Sequence, residues 1–86
     1  MHIIKITAAA GAGKTTALQD LAKLYQTQVI SAKALMAAMP LLMSRTSALA
    51  LNTFVDEVEP AQLPQVKKLV ALYPAEYHIY IAGEKI

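Results

Sequence analysis

The chain predicts a single α/β domain with an open, mostly parallel sheet, spanning residues 1–86. Short β-branched runs alternate with stretches whose apolar residues recur at helical spacing, in the order β-α-β-α-β-α-β. Eighty-six residues are also too few for more than one hydrophobic core. A third feature marks where function should lie. Between the first strand and the first helix, six consecutive residues (8–13, "AAAGAG") carry almost no side chain. A packed core gains little from such a stretch, so something outside the core must need close access to the backbone.

Each element follows from its residues. "HIIKIT" (residues 2–7) is rich in β-branched residues and reads as the first strand. From Lys14, apolar residues fall at Leu18, Leu21, Ala22 and Tyr25, one face of a helix. "QVIS" (28–31) is a short second strand. Ser31 then caps a helix from Ala32 to about Met39, which Pro40 and the polar "SRTS" end. "LALNTFV" (49–55) is the third strand, followed at once by Asp56 and Glu57. Pro60 and Pro64 suit a helix start, and Leu63, Val66, Leu69, Val70 and Tyr73 form its stripe up to Pro74. "YHIYIA" (77–82) is the fourth strand.

Composition narrows the function classes. Eight basic and six acidic residues leave a net charge of +2, but the lysines are scattered and Arg45 is the sole arginine. That pattern gives no nucleic-acid footprint. An apolar fraction of 56% exceeds what so small an interior can hide, which points to a homo-oligomer or a protein partner. The absence of cysteine fits a reducing, cytoplasmic setting. "ALMAAMPLLM" is too short to span a bilayer, and the first residues lack a signal-peptide layout, so no membrane association is expected. His2 and His78 stand far apart in the sequence without carboxylates at ligand spacing, which argues against a histidine metal site.

The small-residue stretch has a specific reading. Residues 8–15, "AAAGAGKT", match the phosphate-binding pattern G-x-x-x-x-G-K-[ST] at Gly13, Lys14 and Thr15, with Ala8 at the first glycine. A strand precedes it and a helix follows. Phosphates must come within hydrogen-bond distance of several main-chain N–H groups, which residues such as Gly11, Ala12 and Gly13 permit. Those groups belong to the first turn of the helix, whose dipole also favours an anion. Lys14 adds positive charge near the β- and γ-phosphates, Thr15 offers a hydroxyl to Mg²⁺, and Thr16 a bond to the α-phosphate. The alternative is an Ala/Gly-rich tight turn beside a surface lysine.

On these residues the chain resembles the P-loop NTPase superfamily. "NTFVDE" is similar to that family's second signature, an apolar strand ending in a magnesium-associated Asp, here Asp56. The Glu that follows, Glu57, is similar to the water-activating residue of the additional-strand, helicase-like branch. Taken alone, an Asp-Glu pair also suits the acidic start of a helix. The resemblance implies a three-layer fold with four strands in the order 1-4-3-2 and three helices. The last strand would lie between the strand before the loop and the strand ending in Asp56. Lys5 fits an edge strand, as that order requires. Asn52 and Thr53 make the Asp56 strand less apolar than the family's. In "AGEKI", Glu84 stands where helicase-like relatives place Asp. The resemblance covers the minimal core, without a fifth strand, base-binding elements or a dedicated arginine finger.

The resemblance implies a domain that binds ATP or GTP with Mg²⁺ and hydrolyses it weakly or only with a partner. Lys14 and Glu57 would be the catalytic residues and Thr15 and Asp56 the magnesium-associated ones. Arg45 lies in a segment leading into the third strand and is expected at the end of the sheet away from the nucleotide. The competing expectation is a reduced domain that serves as a protein-binding module without turnover, in the manner of a small phage or mobile-element accessory protein.

Overall fold

In the computed structural model, which describes residues 1–6 and 13–86, four strands form one all-parallel sheet. The elements run β1 (His2–Ile6), α1 (Lys14–Leu24), β2 (Val29–Ser31), α2 (Ala32–Met43), β3 (Asn52–Asp56), a 3₁₀ turn (Pro60–Gln62), α3 (Leu63–Val70) and β4 (His78–Ala82). The sheet order is β1-β4-β3-β2, so the last strand sits between the first and the third. β1 is an edge strand, where Lys5 reaches sideways to donate to the Ile86 carbonyl oxygen at 3.2 Å.

Strand pairing explains which residues face which layer. Ile4 pairs with Tyr80 and Phe54 with Tyr80, whereas Ile3 pairs with Ile79 and Val55 with Ile81. Successive side chains alternate across a strand, so each set occupies one face. Phe54 and Ala82 meet Leu18 and Ala22 of α1 on one side. On the other, Val55, Ile79 and Ile81 pack against Leu35, Met39, Val66 and Leu69 of α2 and α3. One helix on one face and two on the other is the result expected of right-handed crossovers.

The helix ends are set by local chemistry. The Ser31 side chain accepts the Ala34 N–H at 3.1 Å and caps α2, as expected. α2 does not end at Pro40, however; it continues to Met43. A proline inside a helix costs about 3 kcal/mol. Burying Leu42, beyond the proline, returns about 1.5–3 kcal/mol. The helix then closes with paired bonds, Arg45 N–H to Leu42 O at 3.2 Å and Thr46 N–H to Leu41 O at 3.0 Å. This is the Schellman arrangement, and it holds Arg45 at a left-handed φ of 62°. α1 ends the same way, with Gln26 N–H on Lys23 O at 3.0 Å and Thr27 N–H on Ala22 O at 2.9 Å.

Two further boundaries differ from the sequence reading. β3 starts at Asn52 rather than Leu49, because the Leu49 N–H donates to the Tyr73 hydroxyl at 2.9 Å instead of to a neighbouring strand. Pro60 opens a 3₁₀ turn, with the Glu59 N–H on Gln62 Oε1 at 2.9 Å, and the α-helix proper begins at Leu63.

Candidate functional site

All four strands run in parallel, so the residues that follow them gather at one end. Open α/β sheets bind ligands at that carboxyl end. An open cleft of about 850 Å³ lies there, walled by the start of α1 (Gly13–Thr15), by residues 56–61 after β3, and by residues 83–85 after β4.

The first wall begins with a glycine that its conformation requires. Gly13 adopts φ 82° and ψ 31°, the left-handed region, and precedes the first turn of α1. A Cβ there would meet nothing within 4 Å, so conformation rather than space selects glycine. Gly13 brings no side chain to cap the helix, and the first turn carries no acidic residue. The positive end of the α1 dipole therefore faces the cleft without a covalently adjacent counter-charge. Lys14 and Thr15 line the cleft, whereas Thr16 is exposed and lies outside its lining. Gly11 and Ala12 lie outside the described residues.

The second wall is tied to the first. Thr15 Oγ1 donates to Asp56 Oδ2 at 2.8 Å, joining the start of α1 to the end of β3 across 41 residues of sequence. The other carboxylate oxygen, Oδ1, accepts the Glu57 N–H at 2.8 Å. Asp56 is thus oriented on both oxygens. Glu57 sits at φ 58°, and unlike Gln26 and Arg45 it does not end a helix. The left-handed region costs a side-chain-bearing residue about 1–2 kcal/mol. Here it turns the chain so that the Glu57 side chain lines the cleft and Val58 enters the core at 2% exposure.

The third wall locks onto the second. The Val58 N–H donates to the Ala82 carbonyl oxygen at 2.9 Å. A Cβ on Gly83 would land on the Val58 carbonyl oxygen, so only glycine allows the two segments this approach. Glu84 and Lys85 follow directly and line the cleft. Sequence reasoning singled out Glu84 but missed Lys85. The available signal was the strand order, which places whatever follows β4 between the end of β1 and Asp56.

The donors bear on magnesium. Thr15 and Asp56 offer adjacent hard oxygen atoms, the ligand type Mg²⁺ prefers. No group of three or more His, Cys, Asp or Glu residues able to hold a metal occurs among the described residues. Two protein oxygens fit an ion that completes its shell with water and phosphate oxygens, not a caged structural metal. Around the cleft, two ammonium groups (Lys14, Lys85) stand against four carboxylates (Asp56, Glu57, Glu59, Glu84), a net −2. A bare polyphosphate would meet repulsion there, and a divalent counter-ion would relieve it.

Arg45 lies where the sequence reading expects it, whereas the two histidines do not stay apart. Arg45 lines a separate groove of about 230 Å³ with Tyr73, Pro74 and Tyr77, all preceding strands, and so at the opposite end of the sheet. His2 and His78, distant in sequence, are brought side by side by the β1–β4 pairing, with ring centroids 5.6 Å apart. Comparison of the chain with protein-family models, with curated proteins and with solved structures found no match. No helix among the described residues is long and apolar enough to cross a membrane.

Proposed function

We propose that this chain is a minimal P-loop domain that binds a nucleoside triphosphate, ATP or GTP, together with Mg²⁺. The observation that carries the reading is the Thr15–Asp56 hydrogen bond at the carboxyl end of the sheet. It couples the hydroxyl after a Gly-Lys pair to an aspartate at a strand end, and a lone surface turn would have no reason to make it. In this reading the first turn of α1 and Lys14 receive the phosphates. Thr15 and Asp56 hold the magnesium, which would supply charge neutralisation when bound. Glu57, turned toward the cleft, would orient a water molecule.

Turnover should be slow. Phosphoryl transfer depends on positioning and on charge at the terminal phosphate, and an arginine finger commonly supplies roughly 10³–10⁵ in rate. The chain's single arginine, Arg45, lines the groove at the far end and would serve only a neighbouring subunit. Calorimetric titration with Mg-ATP and Mg-GTP tests the reading. Binding should weaken roughly 10- to 150-fold in Lys14→Ala, the worth of a charged hydrogen bond. Equal affinity in parent and variant would refute it.

A second reading has its own support. α1 covers the sheet over β3 and β4, while Ile4 on β1 stays half-buried and Leu24 and Tyr25 are 78% and 49% exposed. An apolar margin of this kind suits a second copy of the chain or another protein. A module of that kind would give no heat with nucleotide, and light scattering at tens of micromolar would show an assembly.

A further inference from the structure

His2, His78 and Asn52 are the first residues of β1, β4 and β3, and the parallel register sets them level in one row. The row lies at the amino end of the sheet, opposite the cleft at the carboxyl ends of the strands. Residues level across parallel strands project from one face, here the α1 face that also carries Phe54 and Tyr80. Both histidine backbones are fixed. The His2 N–H donates to the Tyr77 carbonyl oxygen at 2.9 Å, and the His78 N–H to the Leu51 carbonyl oxygen at 2.8 Å. Neighbouring strands stand about 4.8 Å apart, and the two imidazoles follow suit, with centroids 5.6 Å apart and planes inclined by 31°. His2 is exposed and His78 half-buried, so an ion can reach the pair from solvent.

We propose that His2 and His78 form a binding site for a divalent transition-metal ion of the zinc class, held by one nitrogen of each ring. Neutral imidazole is the commonest protein ligand for such ions. With Zn–N bonds of about 2.0–2.1 Å, two rings on one ion place their centres roughly 5–5.5 Å apart. The 5.6 Å separation is already close to that. What remains is a turn of each ring about its Cβ–Cγ bond, a broad torsion that leaves the ring centre almost where it is. The strand ladder thus supplies most of the chelate geometry before an ion arrives. No group of three or more His, Cys, Asp or Glu forms a metal cluster among the described residues, so water takes the other positions. A competing chelate, His2 with the chain's own amino group, is disfavoured. The Met1 ammonium donates to the Tyr73 carbonyl oxygen at 2.9 Å, and Met1 packs on the opposite face of the sheet. A bound ion would clasp β1, an edge strand with one neighbour, to the central strand β4 and stabilise the fold by mass action. This site stands apart from Thr15 and Asp56 and is independent of the nucleotide reading.

The chain has two histidines in all, so long-range ¹H–¹⁵N NMR reads each imidazole directly. Titration with Zn²⁺ should shift both imidazoles along one isotherm, whereas Mg²⁺ at the same concentration should leave both unmoved. His2→Gln and His78→Gln, with circular dichroism confirming the fold of each, should weaken zinc binding at the remaining imidazole. The loss should be at least about tenfold, as even an outer-shell change can cause. Zinc should also raise the Tm of the parent more than that of either variant. Imidazole signals in the parent that stay in place with zinc, or that shift singly, would overturn the site. Undiminished zinc binding at His2 in His78→Gln would assign the ion to His2 and the amino group, and overturn the pair.

Discussion

Replacing Gly83 with alanine probes the joint on which the cleft depends. Gly83 does not have a left-handed backbone, so alanine is conformationally acceptable and the cost is steric. The added methyl would fall on the Val58 carbonyl oxygen and lie 3.0 Å from its carbon and 3.3 Å from its nitrogen. These are main-chain atoms of a residue buried to 2% exposure, so no flexible side-chain tip can swing away. Relief requires the two segments to part. Overpacking of this kind costs about 1–3 kcal/mol. Loss of the 2.9 Å Val58–Ala82 bond adds about 0.5–1.5 kcal/mol. Alanine stiffens the unfolded chain and offsets about 0.4–1 kcal/mol. The net destabilisation is about 2 kcal/mol, a large share of the 5–15 kcal/mol typical of a domain. In a chain of this length it corresponds to a fall in Tm of roughly 8–16 °C. Urea and thermal denaturation followed by circular dichroism measure it. A change below about 0.5 kcal/mol would refute the close approach and, with it, the fixed placement of Lys85.

Two other outcomes follow from local geometry. Glu57→Gly removes a side chain from a left-handed position, gaining about 1–2 kcal/mol and losing about 0.5–1 kcal/mol to the freer unfolded chain. A net rise of roughly 0.5–1 kcal/mol in urea denaturation is expected, and a loss of stability would mean that the Glu57 side chain supports the fold. The Tyr80 phenol titrates above the usual tyrosine range, chiefly because of burial, with the hydrogen bond and charge of Tyr25 adding to it. Its folded pKa exceeds the unfolded one, so its contribution to stability is full below about pH 10 and lost as pH rises through the folded value. Tyr80→Phe should flatten that alkaline decline in denaturation midpoints; an unaltered decline would assign it to another group.

Much of the site was legible in the sequence because its chemistry is local. Gly13, which tolerates φ 82°, and the Asp56–Glu57 pair closing an apolar strand each identify themselves within a few residues. Ser31 is likewise a local cap. Boundaries were less legible wherever distant partners compete. Pro40 reads as a helix stop until Leu42 finds a core to enter, and Leu49 reads as strand until the Tyr73 hydroxyl takes its N–H.

By itself, the sequence determined the alternation of strands and helices and the face each helix buries, because periodicity and side-chain bulk act between near neighbours. Only the tertiary structure decided that Thr15 and Asp56 share a hydrogen bond, that His2 and His78 stand side by side, and that Lys85 lines the cleft. Those facts depend on β4, the fourth strand in chain order, entering between β1 and β3. Strand pairing across most of the chain is settled by which residues can be buried together, and no local run of residues encodes it.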